Sequence, residues 1–185
     1  MTTILDVAEK LKVDTDEYYF RRPTKEDGGP VWELVKEIGN LDLNSSYSYV
    51  LWCEVFAESS IVVEHKETQQ IVGFISGFMH PEKEDTLFIW QVAVSSTQRG
   101  KGLATKMLLQ LLEWNESVNF IEATVAPSNK PSNYLFLGLA RKIHTNWKIS
   151  DYFKTEHFPA KDEEHEEELL FRIGPMRKNK NKRMI

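Results

Sequence analysis

The stretch TLFIWQVAVSSTQRGKGLATKMLLQ, residues 86–110, decides the fold. Leu87 to Val94 is a short apolar run rich in β-branched and aromatic residues, which predicts a buried strand rather than a helix. A polar turn leads to Arg99-Gly100-Lys101-Gly102-Leu103-Ala104. Leu103, Met107, Leu108, Leu111 and Leu112 then fall on one stripe of a helix that can pack on a sheet. A strand that empties through glycines into a helix N-terminus makes an anion cradle, because bare backbone N–H groups point outward and the helix dipole favours negative charge. Arg99 and Lys101 add mobile positive charge beside it.

The 185 residues, 41% hydrophobic, are enough for a full core. They predict one folded domain, residues 17–175, between a mobile N-terminal arm, 1–16, and a solvated, disordered basic tail, 176–185, that carries RKNKNKR. A net charge of −5 argues against a nucleic-acid binder, whose surface must neutralise phosphates. The single cysteine, Cys53, can form no internal disulfide and reads as an inert buried thiol. With no charged-then-apolar leader and no long apolar span, the chain reads as a cytoplasmic protein without membrane partners.

Outward from the central stretch, EYYFRR at 17–22 has strand composition. Pro23 ends it, and Thr24 or Asp27 can cap a helix from Pro30 to Ile38 whose inward stripe is Val31, Leu34, Val35 and Ile38. Leu41 to Tyr49 is dense in small hydrogen-bonding groups and predicts a substrate lip leading into a helix from Ser46 to Phe56. Val50, Leu51, Val55 and Phe56 are expected among the buried positions of that helix. Residues 61–64 and 71–79 read as a hairpin, with Gly73 and Gly77 marking a bulge or a close backbone approach. A strand at 120–125, a helix at 132–142, a strand at 147–153 and a strand at 169–173 after an acidic run complete the chain. The order β-α-α-β-β-β-α-β-α-β-β is that of a mixed α/β (α+β) domain.

The strand WQVAV followed by Arg99-x-x-Gly102-x-Ala104 resembles the pyrophosphate-binding motif, Q/R-x-x-G-x-G/A, of the GNAT superfamily of acetyl-coenzyme A-dependent N-acetyltransferases. The element order matches that superfamily too. The resemblance implies a central twisted mixed sheet with splayed middle strands flanked by helices. It also implies acetyl-CoA as co-substrate with no metal, pantetheine along the backbone of Val92, Ala93 and Val94, and pyrophosphate at Arg99, Gly100, Lys101, Gly102, Leu103 and Ala104. Asn129 and Phe136 are expected at the coenzyme arm on the same ground. Residues 41–49, 88–94, 124–129 and 165–168 further resemble blocks of the diaminobutyrate acetyltransferase family of ectoine (compatible solute) biosynthesis. That likeness implies acetylation of the 4-amino group of L-2,4-diaminobutyrate by a homodimer.

Amine acetylation needs a neutral amine, and a lysine-type ammonium has a reference pKa of ~10.4, so the site must favour deprotonation. Many superfamily members carry a base where this chain has Phe88 and Trp90, which leaves a water relay or a base on the lip, Asp42 or Tyr47, as the expectation. Many also carry a tyrosine where this chain has Phe136. A thiol pKa of about 8.5 makes the coenzyme thiolate a fair leaving group without such an acid. For the acceptor, Asp42 and Glu168 are candidates to hold the α-ammonium, and Asn44, Ser45 and Ser46 the carboxylate. Trp90 offers a flat wall against the short carbon chain of the acceptor, and Tyr47 and His165 can donate or accept at the ends of that chain. Without the resemblance, the serines read as helix caps, Trp90 as core, Asn129 as a turn residue and the acidic run as a solvated face. Two rival functions stay open: an acetyltransferase for another small amine or polyamine, and a catalytically degenerate acyl-CoA-binding module.

Overall fold

The computed structural model describes residues 16–39, 41–159 and 165–176. One sheet holds seven strands in the order β1-β2-β3-β4-β5-β7-β6. They are β1 (Tyr18–Arg21), β2 (Ile61–His65), β3 (Ile71–Met79), β4 (Thr86–Val94), β5 (Phe120–Val125), β6 (Trp147–Phe153) and β7 (Glu168–Ile173). Among the described residues four α-helices, α1 (Gly28–Ile38), α2 (Ser46–Val55), α3 (Leu103–Trp114) and α4 (Lys130–Lys142), complete the mixed α/β order read from the sequence. Every neighbouring pair of strands is antiparallel except β4 and β5, which α3 joins as a crossover.

Two apolar clusters, one on each face of the sheet, hold it. On one face α1 and α2 bring Val31, Leu34, Val35, Tyr49 and Cys53 onto Val62, Phe74 and Ala93. On the other, α3 buries Leu103, Met107, Leu108, Leu109, Leu111 and Leu112, and α4 adds Phe136, Leu139 and Ala140. At roughly 2 kcal/mol per fully buried apolar side chain, α3 alone contributes on the order of 10 kcal/mol before the entropy of ordering it. This explains why a turn of little intrinsic order can sit at its head.

The strand pairing opens a wedge. β4 pairs with β3 from Leu87 to Val94, but with β5 only from Thr86 to Ile89. Beyond Ile89 the β5 side of β4 is unpaired, while β5 continues to Val125 along β7. A bulge lies at the same point: Gly77 faces Ile89 and Ser76 faces Gln91, so Trp90 is the extra residue. Gly77 is required there, since an added Cβ would meet Ser59 O at 2.7 Å and Phe88 O at 3.0 Å.

Three expectations need correction. In α2 the buried residues are Tyr49 and Cys53, whereas Val50 and Leu51 are exposed and Val55 is 61% exposed. The helix is apolar on most of its circumference, so its periodicity marks no clean phase, and the tyrosine wins the core position because its hydroxyl finds partners there. Helices α1 and α4 start two residues earlier than expected, after a capping-box turn at Lys25–Asp27 and an Asn129 cap respectively. Met176, assigned to the tail, is buried, and its N–H bonds Asn119 O at 2.8 Å. Residues 1–15 of the arm, 177–185 of the tail and 162–164 of the acidic run lie outside the described residues.

Candidate active site

The side of the β4–β5 wedge where the donor is expected is built from backbone. Ser95 N–H bonds Val72 O, so strand alternation turns the peptide groups of Ala93 toward β3 and those of Val92 and Val94 toward the wedge. The turn that follows contains Gly100 at φ 79° and Gly102 at φ 77°, left-handed positions that glycine adopts without strain. Gly102 is the N-cap of α3 and supplies no side-chain cap. The first helical bond runs from Lys106 N to Gly102 O, so helix geometry leaves the N–H groups of Leu103, Ala104 and Thr105 without intrahelical acceptors. The Leu103 side chain is buried in the core, Ala104 is half-buried and Arg99 is exposed.

Lys101 is not the mobile charge expected. Its ammonium donates to the Tyr18 hydroxyl at 2.8 Å and lies 3.6 Å from Glu17. The bond to Tyr18, more than the Glu17 charge, raises its pKa above the ordinary value. The Tyr18 hydroxyl in turn donates to Gln98 Oε1 at 2.7 Å.

The side where the acceptor is expected is built from side chains that hold a loop. Gln91 is only 7% exposed, and its amide Nε2 donates to Asp42 O at 2.8 Å. Its Oε1 accepts from the Tyr49 hydroxyl at 3.2 Å, while that hydroxyl accepts from Asn44 N at 3.4 Å. Trp32 Nε1 donates to Asn44 O at 3.2 Å from α1. These bonds fix the backbone of the lip and leave the side chains of Asp42, Ser46 and Tyr47 exposed. Ser45 is committed to capping: its Oγ accepts from Ser48 N at 3.3 Å and lies 2.9 Å from Ser48 Oγ. Asn44 Nδ2 donates back to Asp42 O at 3.4 Å.

The bulge sends Trp90 and Gln91 to the same face, where both meet α2. Trp90 is 41% exposed and lies against Trp52 with ring centroids 4.5 Å apart, so it is a surface wall rather than core. Phe88 stacks on Phe78 at 5.1 Å. β4, TLFIWQVAV, carries no ionisable side chain.

Across the wedge, Phe171 and Ile173 of β7 belong to the α3 cluster, so Glu168 starts the strand on the opposite face, the face of Trp90. His165 stacks on Phe158 at 3.5 Å, and its Nδ1 lies 2.9 Å from Glu166 O. A carbonyl only accepts, so that bond places a proton on Nδ1 and, in the neutral ring, leaves Nε2 bare. Glu166 accepts from Ser128 N at 3.2 Å, tying this segment to the end of β5. Nearer the start of β5, opposite Arg172 of β7, buried Glu122 accepts from Lys83 at 2.9 and 3.0 Å and from Arg172. Burial pushes the Glu122 carboxyl up, but the bonds to Lys83 and Arg172 outweigh it and hold the group below the usual range.

Two expected coenzyme residues are otherwise engaged. Asn129 caps α4, its Oδ1 accepting from Ser132 N at 3.2 Å. Phe136 is 2% exposed and lies against Phe171, so its ring belongs to the core. Gln91, Tyr49, Trp32 and Tyr18 were missed in the sequence. A lone amide inside an apolar strand was the signal that could have marked Gln91. Burial pushes the Cys53 thiol up to about 12, which keeps it protonated. A cleft of about 460 Å³ beside α1, lined by Glu33, Glu37, His65 and Gln98 among others, contains none of the predicted residues. Among the described residues no group of three or more His, Cys, Asp or Glu is placed to hold a metal ion, and no helix is long and apolar enough to cross a membrane.

Residues 30–139 match the model of the Acetyltransferase (GNAT) family. The chain is 98% identical over 179 residues to the L-2,4-diaminobutyric acid acetyltransferase of Oceanobacillus iheyensis, across 97% of this chain and all of that one. It is 60% identical to the enzyme of the same name from Virgibacillus pantothenticus, across 86% of this chain and 99% of that one. Among solved structures it is similar to the diaminobutyrate acetyltransferase EctA of Paenibacillus lautus in complex with its substrate L-2,4-diaminobutyric acid and coenzyme A. The TM-score is 0.81 at 42% identity, covering 88% of this chain and 98% of that one.

Proposed function

The chain belongs to the GNAT acetyltransferase family, and from that premise we propose that it transfers acetyl from acetyl-CoA to the 4-amino group of L-2,4-diaminobutyrate. The products are N4-acetyl-L-2,4-diaminobutyrate and CoA, in a step of ectoine biosynthesis. One observation carries the reading beyond the relatives' names: at Trp90 the sheet opens, and an unpaired backbone edge and a pinned polar lip meet on either side of that point.

The chemistry is direct attack. The acceptor ammonium loses one proton, the lone pair of the neutral amine adds to the thioester carbonyl, and collapse breaks the C–S bond and expels the coenzyme thiolate, which is protonated as the nitrogen gives up its second proton to become the amide. Backbone N–H groups at the head of α3 hold the pyrophosphate with Arg99 beside them, and the peptide groups of Val92 and Val94 hold the pantetheine arm. Asp42 and Glu168, on opposite sides of the wedge, receive the α-ammonium. Asn44, Ser46 and backbone N–H groups of the lip receive the carboxylate. Tyr47 and His165 bond at the ends of the acceptor, and Trp90 flattens the pocket. Since β4 lacks an ionisable group, the proton leaves through water or through Asp42 or Tyr47. The enzyme acts in the cytoplasm as a homodimer, which fractionation and sedimentation test respectively.

A substrate panel decides the assignment: diaminobutyrate is expected to be acetylated far more efficiently than a diamine of equal length without a carboxylate. Comparable efficiencies would favour the rival small-amine or polyamine enzyme. Coenzyme binding by calorimetry with no acetyl transfer to any amine would favour the degenerate binding module, the reading that the base-free β4 motivates.

A further inference from the structure

The coenzyme turn is held by a residue outside the wedge. By its own sequence the turn has little to order it. Gly100 and Gly102 both sit at positive φ, an added Cβ at Gly100 would meet nothing within 4 Å, and α3 has no side-chain cap. Glycines lose more conformational freedom on ordering than any other residue. Side-chain bonds such as Ser95 to Thr97 and Gln98 to Thr97 run within the segment itself.

Against this stands Tyr18. It is on the edge strand β1, 3% exposed, and its ring is fixed edge-on to His65 at 5.5 Å across the β1–β2 register. Its hydroxyl is used in both senses, donating to Gln98 Oε1 and accepting from Lys101 Nζ. Those two residues bracket Arg99 and Gly100. One phenol therefore clamps both ends of the four-residue loop that precedes Gly102, from 80 and 83 residues away in the chain. The ammonium of Lys101 also lies 5.5 Å from the Tyr18 ring.

We propose that Tyr18 is a positioning residue for the coenzyme, holding residues 98–101 in the shape that receives the pyrophosphate. The inference rests on the coenzyme reading above. Without the clamp the turn samples other shapes, and apparent affinity falls by the fraction of time it spends in the receptive one. The chemistry in the bound complex is unaffected, because β4, the lip and the thioester carbonyl lie elsewhere.

The test is Tyr18→Phe in the full chain, which keeps the ring and its packing. The affinity for CoA by calorimetry and the KM for acetyl-CoA are expected to worsen roughly tenfold, as the loss of two side-chain hydrogen bonds implies. kcat at saturation and the KM for diaminobutyrate stay within about twofold, since nothing they depend on is removed. The decisive comparison uses S-acetylpantetheine, a donor without the pyrophosphate, whose kinetics are expected not to change. Gln98→Leu removes one of the two bonds while leaving Tyr18 in place, and its smaller loss in the same direction serves if the first variant folds poorly. Equal losses on both donors, or a fall in kcat with KM unchanged, would reduce Tyr18 to a packing residue and overturn the proposal. Unchanged coenzyme affinity in both variants would overturn it alone. If the wild-type chain itself failed to bind CoA, the coenzyme reading would fall and the proposal with it.

Discussion

The coenzyme turn, 98–104, and the acceptor lip, 41–47, flank one wedge but are made differently. The turn presents backbone: two left-handed glycines, an uncapped helix start and unpaired peptide groups on β4. The lip presents side chains, and its backbone is tied down by Gln91, Tyr49 and Trp32. A site made of peptide groups tolerates most side-chain changes but fails when φ is constrained. A site made of side chains on a loop fails when its distant anchors are cut. The contrast predicts that damage to one side leaves the affinity of the other intact.

The largest expected effect breaks the turn. Gly102→Val puts a β-branched residue at φ 77°, a conformation that costs an L residue roughly 1–2 kcal/mol before any crowding of the phosphate, so CoA affinity should fall at least about tenfold. Calorimetry should show this while the KM for diaminobutyrate moves little. On the lip, Asp42→Ala is expected to raise the diaminobutyrate KM by a comparable factor, since a charge-assisted bond contributes roughly 1.5–3 kcal/mol, with CoA affinity unchanged. A parallel loss of CoA affinity would indicate a folding defect instead.

Gln91→Leu asks whether the anchor matters as much as the group it positions. It strips one of two partners from Asp42 O and from the Tyr49 hydroxyl, worth roughly 1–2 kcal/mol. Steady-state kinetics should show a several-fold rise in diaminobutyrate KM and an unaltered acetyl-CoA KM. A loss of coenzyme affinity as large as the loss on the amine would mean that the two sides are coupled through β4, and the contrast drawn above would fail.

Acid should loosen the bank that carries Glu168 through Glu122, whose folded pKa is depressed. The stability it contributes is present above its unfolded pKa of about 4.3 and is lost as pH falls through the lower folded value. The melting-temperature gap between the wild type and Glu122→Gln should therefore be constant at neutral pH and close in the acid range below that unfolded value. A gap that persisted at low pH would show that the carboxylate charge is not what braces β5 to Lys83 and Arg172. The smallest effect is expected from Tyr134→Phe: the phenol is 73% exposed on α4, so turnover should barely change. A hundredfold fall would instead make Tyr134 the acid that protonates the thiolate, in place of the tyrosine that Phe136 replaces.

The sequence by itself determined the element order and the glycine turn that leads into α3. Both depend on near neighbours: apolar periodicity within an element, glycine spacing within a turn, and a helix start one residue on. It also named Asp42, Tyr47, Trp90, His165 and Glu168 through family likeness. It could not tell their bonding apart from that of Ser45 and Asn129, whose side chains turn out to cap helices. Tertiary structure alone decided the face that α2 buries, the bulge that turns Trp90 and Gln91 the same way, the core position of Phe136, and the reach of Tyr18 across the sheet to Lys101. Each of these depends on which strand lies beside which, and strand order is set by long-range burial that no local pattern encodes.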